Sequence, residues 1–212
     1  MSSMQGIIKG VALAVLVGST FIVTQAQNQA QLSFFITSAG SGNGANLGGL
    51  TGADAICQQR AAAVGRGDRA WRAYLSAPAS SGSPAVHARD RIGRGPWVNT
   101  QGIEIAGSVG ELHGASVNLT AETALTEAGS HVAPGRHDIL TGSNPDGTLA
   151  AGDATCRGWT SHGEGRAMVG HHNRSGGGRG DSWNSAHPSR GCSQAALRAS
   201  LGDGLLYCFA AD

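Results

Sequence analysis

The sequence predicts a loop-rich α+β domain tied by cystine cross-links. Three observations predict it. Cys57, Cys156, Cys192 and Cys208 make an even set of four cysteines in a chain of 212 residues, and an even count behind a removable leader reads as a disulfide framework. Glycine is abundant at 34 and aromatic residues make up 5% of the chain, which implies many loops and a modest core. Two apolar, strand-like runs stand near the ends, Leu32–Thr37 and Leu205–Ala210, with a helical pattern after the first.

Residues 1–26 read as a secretory signal peptide. Lys9 supplies the positive charge, Val11–Val23 the apolar stretch (broken by Gly18, Ser19 and Thr20), and Thr24-Gln25-Ala26 a small-residue cleavage site. The stretch is shorter than the roughly 20 residues a bilayer span requires. No cysteine follows the cut, which disfavours a bacterial lipoprotein. Residues 27–212 then form a single domain, secreted or periplasmic, with no later membrane span. The net charge of +1 and the charged fraction of 14% give no general pull toward nucleic acid or an anionic membrane.

The elements follow in order. Leu32–Thr37 (LSFFIT) is the first strand. Gly40–Gly49 is loop. Thr51 is the expected N-cap of a helix to about Val64, with Asp54 as its capping-box partner and Gly65 at C′. Ala53, Cys57, Ala61 and Val64 share one face of that helix, so Cys57 points inward. Ala70–Ser76 is a second strand, and residues 77–84 are linker. Strand-like pieces surround Ile92, Trp97-Val98 and Ile103–Ile105. Leu119–Ala128 is expected as a short second helix. Residues 173–181 (NRSGGGRGD) read as a mobile loop. Leu205–Ala210, with Cys208 inside it, closes the chain.

From Asn144-Pro145-Asp146-Gly147 through Cys156, Trp159 and Cys192 to Cys208 in LLYCFAAD, the chain resembles the endostatin domain of collagens. More broadly it resembles the C-type-lectin-like fold. The stretch FFITSAGSGNGANLGGLTGADAICQ is similar to secreted bacterial lectin-like proteins. The resemblance covers most of residues 33–212 and is weakest over 77–136. It implies a C-type-lectin-like, endostatin-like domain with short antiparallel strands, one or two helices, long loops and two nested disulfides, Cys57–Cys208 and Cys156–Cys192. Four cysteines on their own allow three connectivities. In the loop-entropy account the implied bonds contribute at most about 5 and about 4 kcal/mol.

The resemblance also implies a binding set. Sugar-binding C-type lectins hold calcium with a Glu-Pro-Asn type triplet, a later acid and a Trp-Asn-Asp triplet. Here Asn144-Pro145-Asp146, Asp153 and Trp183-Asn184-Ser185 stand in those places. The expected ligand-binding residues are thus Asn144, Asp146, Asp153, Trp183, Asn184 and Arg190. Asn144, Asp146, Asp153 and Asn184 are the calcium ligands among them. Calcium takes about six to eight oxygens, and Ser185 withholds one of the usual carboxylates. The competing reading is a Pro/Asp/Gly turn with Trp183 in the core.

Two other groups compete. Arg157, Arg166, Arg174, Arg179, Arg190 and Arg198 lie in a final third that carries no lysine, and guanidinium forks match sulfate and carboxylate oxygens. His162, His171, His172 and His187 stand near Glu164. Their spacing fits no zinc motif, and endostatin's zinc-binding histidines, at the start of that domain, have no counterpart here. They read as scattered polar or core histidines. No G-x-S-x-G elbow or triad spacing points to a hydrolase. The expectation is a secreted, non-enzymatic binding module for carbohydrate or another extracellular polymer. The alternative is a protein-interaction or cell-envelope domain of the same fold without a sugar site.

Overall fold

The computed structural model describes residues 32–212. The leader at 1–26 lies outside the described residues. The elements are β1 (Phe34–Ile36), α1 (Gly49–Ala63), β2 (Trp71–Ala73), β3 (Trp97–Val98), β4 (Glu104–Ala106), α2 (Val109–Leu112), β5 (Asp138–Leu140), β6 (Met168–His171), β7 (His187–Pro188), α3 (Gln194–Ala199) and β8 (Gly202–Ala210). The class is mixed α+β, with few helices and mostly short strands.

β8 is the axis of the main sheet. β1 runs antiparallel along one edge of it, pairing Phe34 with Phe209 and Ile36 with Tyr207. β2 lies antiparallel on the other edge, pairing Ala73 with Cys208. β5 continues that second edge in parallel, with Leu140 beside Leu206. β6 and β7 extend the sheet outward from β5. β3 and β4 form a separate hairpin.

Both faces of the sheet are covered, which is why β1 and β8 read as unbroken apolar runs rather than alternating ones. Phe34, Ile36, Leu205, Tyr207 and Phe209 enter one core layer with Trp97 and Trp183. Phe35, Leu206 and Cys208 enter the other, under α1, with Trp71 and Trp159. The aromatics are few but concentrated: Phe34 and Trp97 pack on Phe209 at 4.9 and 5.3 Å between ring centroids.

Both disulfides lie in the α1 layer. Cys57 pairs with Cys208 and Cys156 with Cys192, the nested pattern implied by the resemblance. Such bonds fit an oxidising environment. No helix among the described residues is long and apolar enough to cross a membrane.

Two expected elements change. The first helix starts at Gly49, not after Thr51, because Gly48 turns the chain in at φ 77° and the backbone forms the entry without a side-chain cap. Asp54 is therefore not a capping residue. Its carboxylate turns inward and accepts from Arg72 Nη1 at 2.8 Å, Arg91 Nη2 at 2.8 Å and the Ala73 N–H at 2.9 Å. Gly65 does stand at positive φ, 75°, just past the helix end.

Leu119–Ala128 is not a helix. Its threonines bind the backbone locally and compete with helical bonding. Thr123 Oγ1 accepts from the Thr120 N–H at 2.9 Å, and Thr126 Oγ1 from the Ser130 N–H at 3.2 Å. The Leu125 carbonyl then accepts from the Ile36 N–H at 2.8 Å, which lays the segment against β1.

Candidate functional site

Asn144 and Asn184 of the expected calcium residues bond to each other, and Asp146 and Asp153 bond to their own sequence neighbours. Asn184 Nδ2 donates to the carbonyls of Asn144 at 3.2 Å and Pro145 at 3.1 Å, so the Asn-Pro-Asp-Gly turn rests on the Trp-Asn pair. That amide also donates to Tyr74 Oη at 2.9 Å, and its Oδ1 accepts from Ser182 Oγ at 3.1 Å. Asn184 is buried, and Trp183 packs on Tyr74 and Tyr207 in the core. Asn144 Nδ2 donates to Thr148 Oγ1 and to the Leu149 carbonyl. Asp146 is exposed, and its Oδ1 accepts from the Thr148 N–H and hydroxyl; these bonds hold its carboxyl below the usual carboxylate range.

Asp153 holds a turn of its own. Residues Cys156–Trp159 form a left-handed turn, with φ of 50°, 58°, 64° and 68° in succession. For each non-glycine residue that conformation costs roughly 1–2 kcal/mol. The Asp153 carboxylate accepts the N–H groups of Thr155 and Arg157 at 3.1–3.2 Å, and Thr155 Oγ1 accepts the Gly158 N–H at 3.0 Å. Trp159 Nε1 anchors the turn to the Ser76 carbonyl at 2.8 Å. The Cys156–Cys192 bond leaves from the same turn.

A different constellation forms where β5, β6 and β7 run side by side. Asp138 pairs with His171 across β5 and β6, and His187 stands opposite Val169 across β6 and β7. Period-two alternation puts Val169 and His171 on one face, so Asp138, His171 and His187 converge. Asp138 Oδ1 lies 3.3 Å from His137 Nε2, 3.2 Å from His171 Nε2 and 3.7 Å from His187 Nε2. The His171 and His187 Nε2 atoms are 2.9 Å apart. Gly202 of β8 flanks Asp138, and a Cβ there would stand 3.1 Å from the Asp138 Cβ.

Asp138 is 2% exposed, and neither carboxylate oxygen has a hydrogen-bond donor among the described residues. The imidazole nitrogens approach Oδ1 without lining up on it. Burial pushes this carboxyl up to about 6, against the opposing pull of His187 and His171. Burial, with His171 adding to it, lowers His137. Burial also lowers the neighbouring His172 to about 4. The loop at 173–181 folds over His171: Ser175 accepts from its Nδ1 at 2.7 Å, and Gly176 and Gly180 approach its ring. His137, His187 and Arg190 border a shallow cavity of about 340 Å³ with Pro188 and Leu201. On its other side His137 borders one of about 410 Å³ with Arg136 and His172.

From the sequence, His171 and His187 read only as scattered polar or core histidines, in one group with His162, His172 and Glu164. His162 is exposed and sits beside Asn46, with Asn46 Nδ2 3.4 Å from its Nδ1. Glu164 is exposed. The true partners, His137 and Asp138, were missed. One signal existed: an acid flanked by a histidine at the start of a strand-like DIL run. No protein-family model matches this chain, and comparison with curated proteins gives no significant match.

Proposed function

We propose that this chain is a secreted, non-enzymatic binding module of C-type-lectin-like, endostatin-related architecture that recognises an anionic glycan or another acidic extracellular polymer. One observation carries the reading. Arg157, Arg166 and Arg190 are exposed, and no carboxylate pairs with any of them among the described residues. All three attach to the smaller disulfide. Arg157 follows Cys156, the Arg166 carbonyl accepts the Cys156 N–H at 3.0 Å, and Arg190 shortly precedes Cys192. A cystine-held base presenting free guanidinium groups suits sulfate and carboxylate oxygens. The nearby acids are Asp153, whose carboxylate holds backbone N–H groups, and exposed Glu164.

Recognition is placed on arginines rather than on calcium because the amides and carboxylates of the 144–153 and 184 set already serve internal bonds. That same observation favours the second reading, a protein-interaction or envelope domain without a sugar site. A glycan array probed with and without calcium decides between them. The expected result is binding to sulfated or uronic-acid glycans, unchanged by calcium and weakened by salt. Replacing Arg157, Arg166 and Arg190 together with alanine should reduce it at least tenfold, about 1.4 kcal/mol. Binding only to neutral sugars with calcium present would restore the calcium set. Binding to no glycan, with capture of a purified envelope protein, would support the second reading.

A further inference from the structure

We propose that Asp138, His171 and His187, with His137 beside them, bind one divalent transition-metal ion of the zinc class. The inference does not rest on the polymer-binding reading and stands whether or not a glycan binds.

The donor set is the first support. Imidazole nitrogens and a carboxylate oxygen suit zinc and its neighbours in the first transition row. The separations are the second. Zinc–ligand bonds of about 2.0–2.1 Å in a tetrahedron place ligand atoms about 3.3 Å apart. The Asp138–His171, Asp138–His187 and His171–His187 separations are 3.2, 3.7 and 2.9 Å. The His171 and His187 rings cross at 73°, so their nitrogens can aim at a common point. His137 instead stacks on His171 with centroids 4.1 Å apart and planes 15° from parallel. Near-parallel rings do not converge, so His137 borders the outer side of the set.

The protons give the third and strongest support. His171 Nδ1 lies 2.7 Å from the Ser175 carbonyl oxygen, and His187 Nδ1 lies 3.0 Å from that of Pro188. A carbonyl only accepts, so both Nδ1 atoms carry hydrogen. In the neutral rings the two Nε2 lone pairs then face each other, beside a buried carboxylate that no donor among the described residues reaches. Three electron-rich atoms brought this close repel unless a cation lies among them. Carbonyl acceptors behind metal-bound imidazoles are the usual means of fixing that tautomer. The shallow cavity bordered by His137, His187 and Arg190 gives the ion a path from solvent. All four cysteines are oxidised, so no thiolate competes for the metal.

The test uses the full oxidised chain, stripped with a chelator and titrated with cobalt(II) and then zinc(II). The expected result is one cobalt per chain, with the visible d–d absorption of a tetrahedral nitrogen–oxygen site. Zinc should abolish that absorption, and zinc should raise the melting temperature. Asp138→Asn and His187→Ala should each lower the affinity by at least about tenfold. The His187 side chain is 39% exposed, so its removal leaves the core intact, and an unchanged near-ultraviolet circular dichroism spectrum would verify this. Absence of cobalt absorption would overturn the proposal. So would equal affinity of the wild-type and His187→Ala chains. So would nuclear magnetic resonance showing His171 and His187 as a proton-bridged pair insensitive to zinc.

Discussion

Asp54 and Asp138 are both buried carboxylates, 8% and 2% exposed, and the protein treats them in opposite ways. Asp54 on α1 receives two guanidinium groups and a backbone N–H, all within 2.9 Å. Its charge is fully answered, and it joins the helix to β2 and to the turn carrying Arg91. Asp138 on β5 receives no donor among the described residues, and three imidazole nitrogens crowd it instead. Burying a carboxylate is costly unless something compensates it. At Asp54 the chain itself compensates. At Asp138 the surrounding groups are those that compensate a charge by sharing a metal ion with it. The contrast separates an internal brace from the site proposed to bind a metal ion.

The two regions share one tether. The Cys57–Cys208 bond joins the helix that carries Asp54 to the strand that pairs with β5, closing a separation of 151 residues. Replacing both cysteines with alanine should bring the largest loss, up to about 5 kcal/mol, read by urea denaturation. An unchanged midpoint would show that packing alone holds the two regions in register.

Asp54→Asn tests the braced side. It leaves Arg91, whose side chain is 12% exposed, as a buried cation with half its partner removed. The expected destabilisation is about 3–5 kcal/mol, with cobalt binding by the folded protein unaffected. Loss of metal affinity in parallel with stability would mean that the regions are not independent.

Asp138→Asn tests the other side and should act in the reverse direction. Without metal it removes an unanswered charge and supplies an amide N–H to the facing Nε2 lone pairs. Stability in chelator should hold or rise by about 1–3 kcal/mol, while zinc should no longer raise the melting temperature. Destabilisation equal to that of Asp54→Asn would erase the distinction between the two carboxylates.

Much of the frame was legible because its signals are local. LSFFIT and LLYCFA are apolar on both sides and became the buried β1 and β8. The pattern Ala53, Cys57, Ala61 marked the buried face of α1. Local patterns failed where side chains competed with the backbone, as the threonines of 119–128 did. They failed again at Asp54, whose position suggested a cap although its partners come from β2 and from the turn before Trp97.

The sequence by itself determined the α+β character, the strands that flank the core, and an even cysteine count that reads as a disulfide framework. Only the tertiary structure decided which charges are answered. Asp138, His171 and His187 are far apart along the chain and meet through the register of β5, β6 and β7. A helix or an apolar strand is specified by residues a few positions apart. A convergence of donors is specified by strand pairing, and no spacing along the chain encodes which rung of one strand faces which rung of the next.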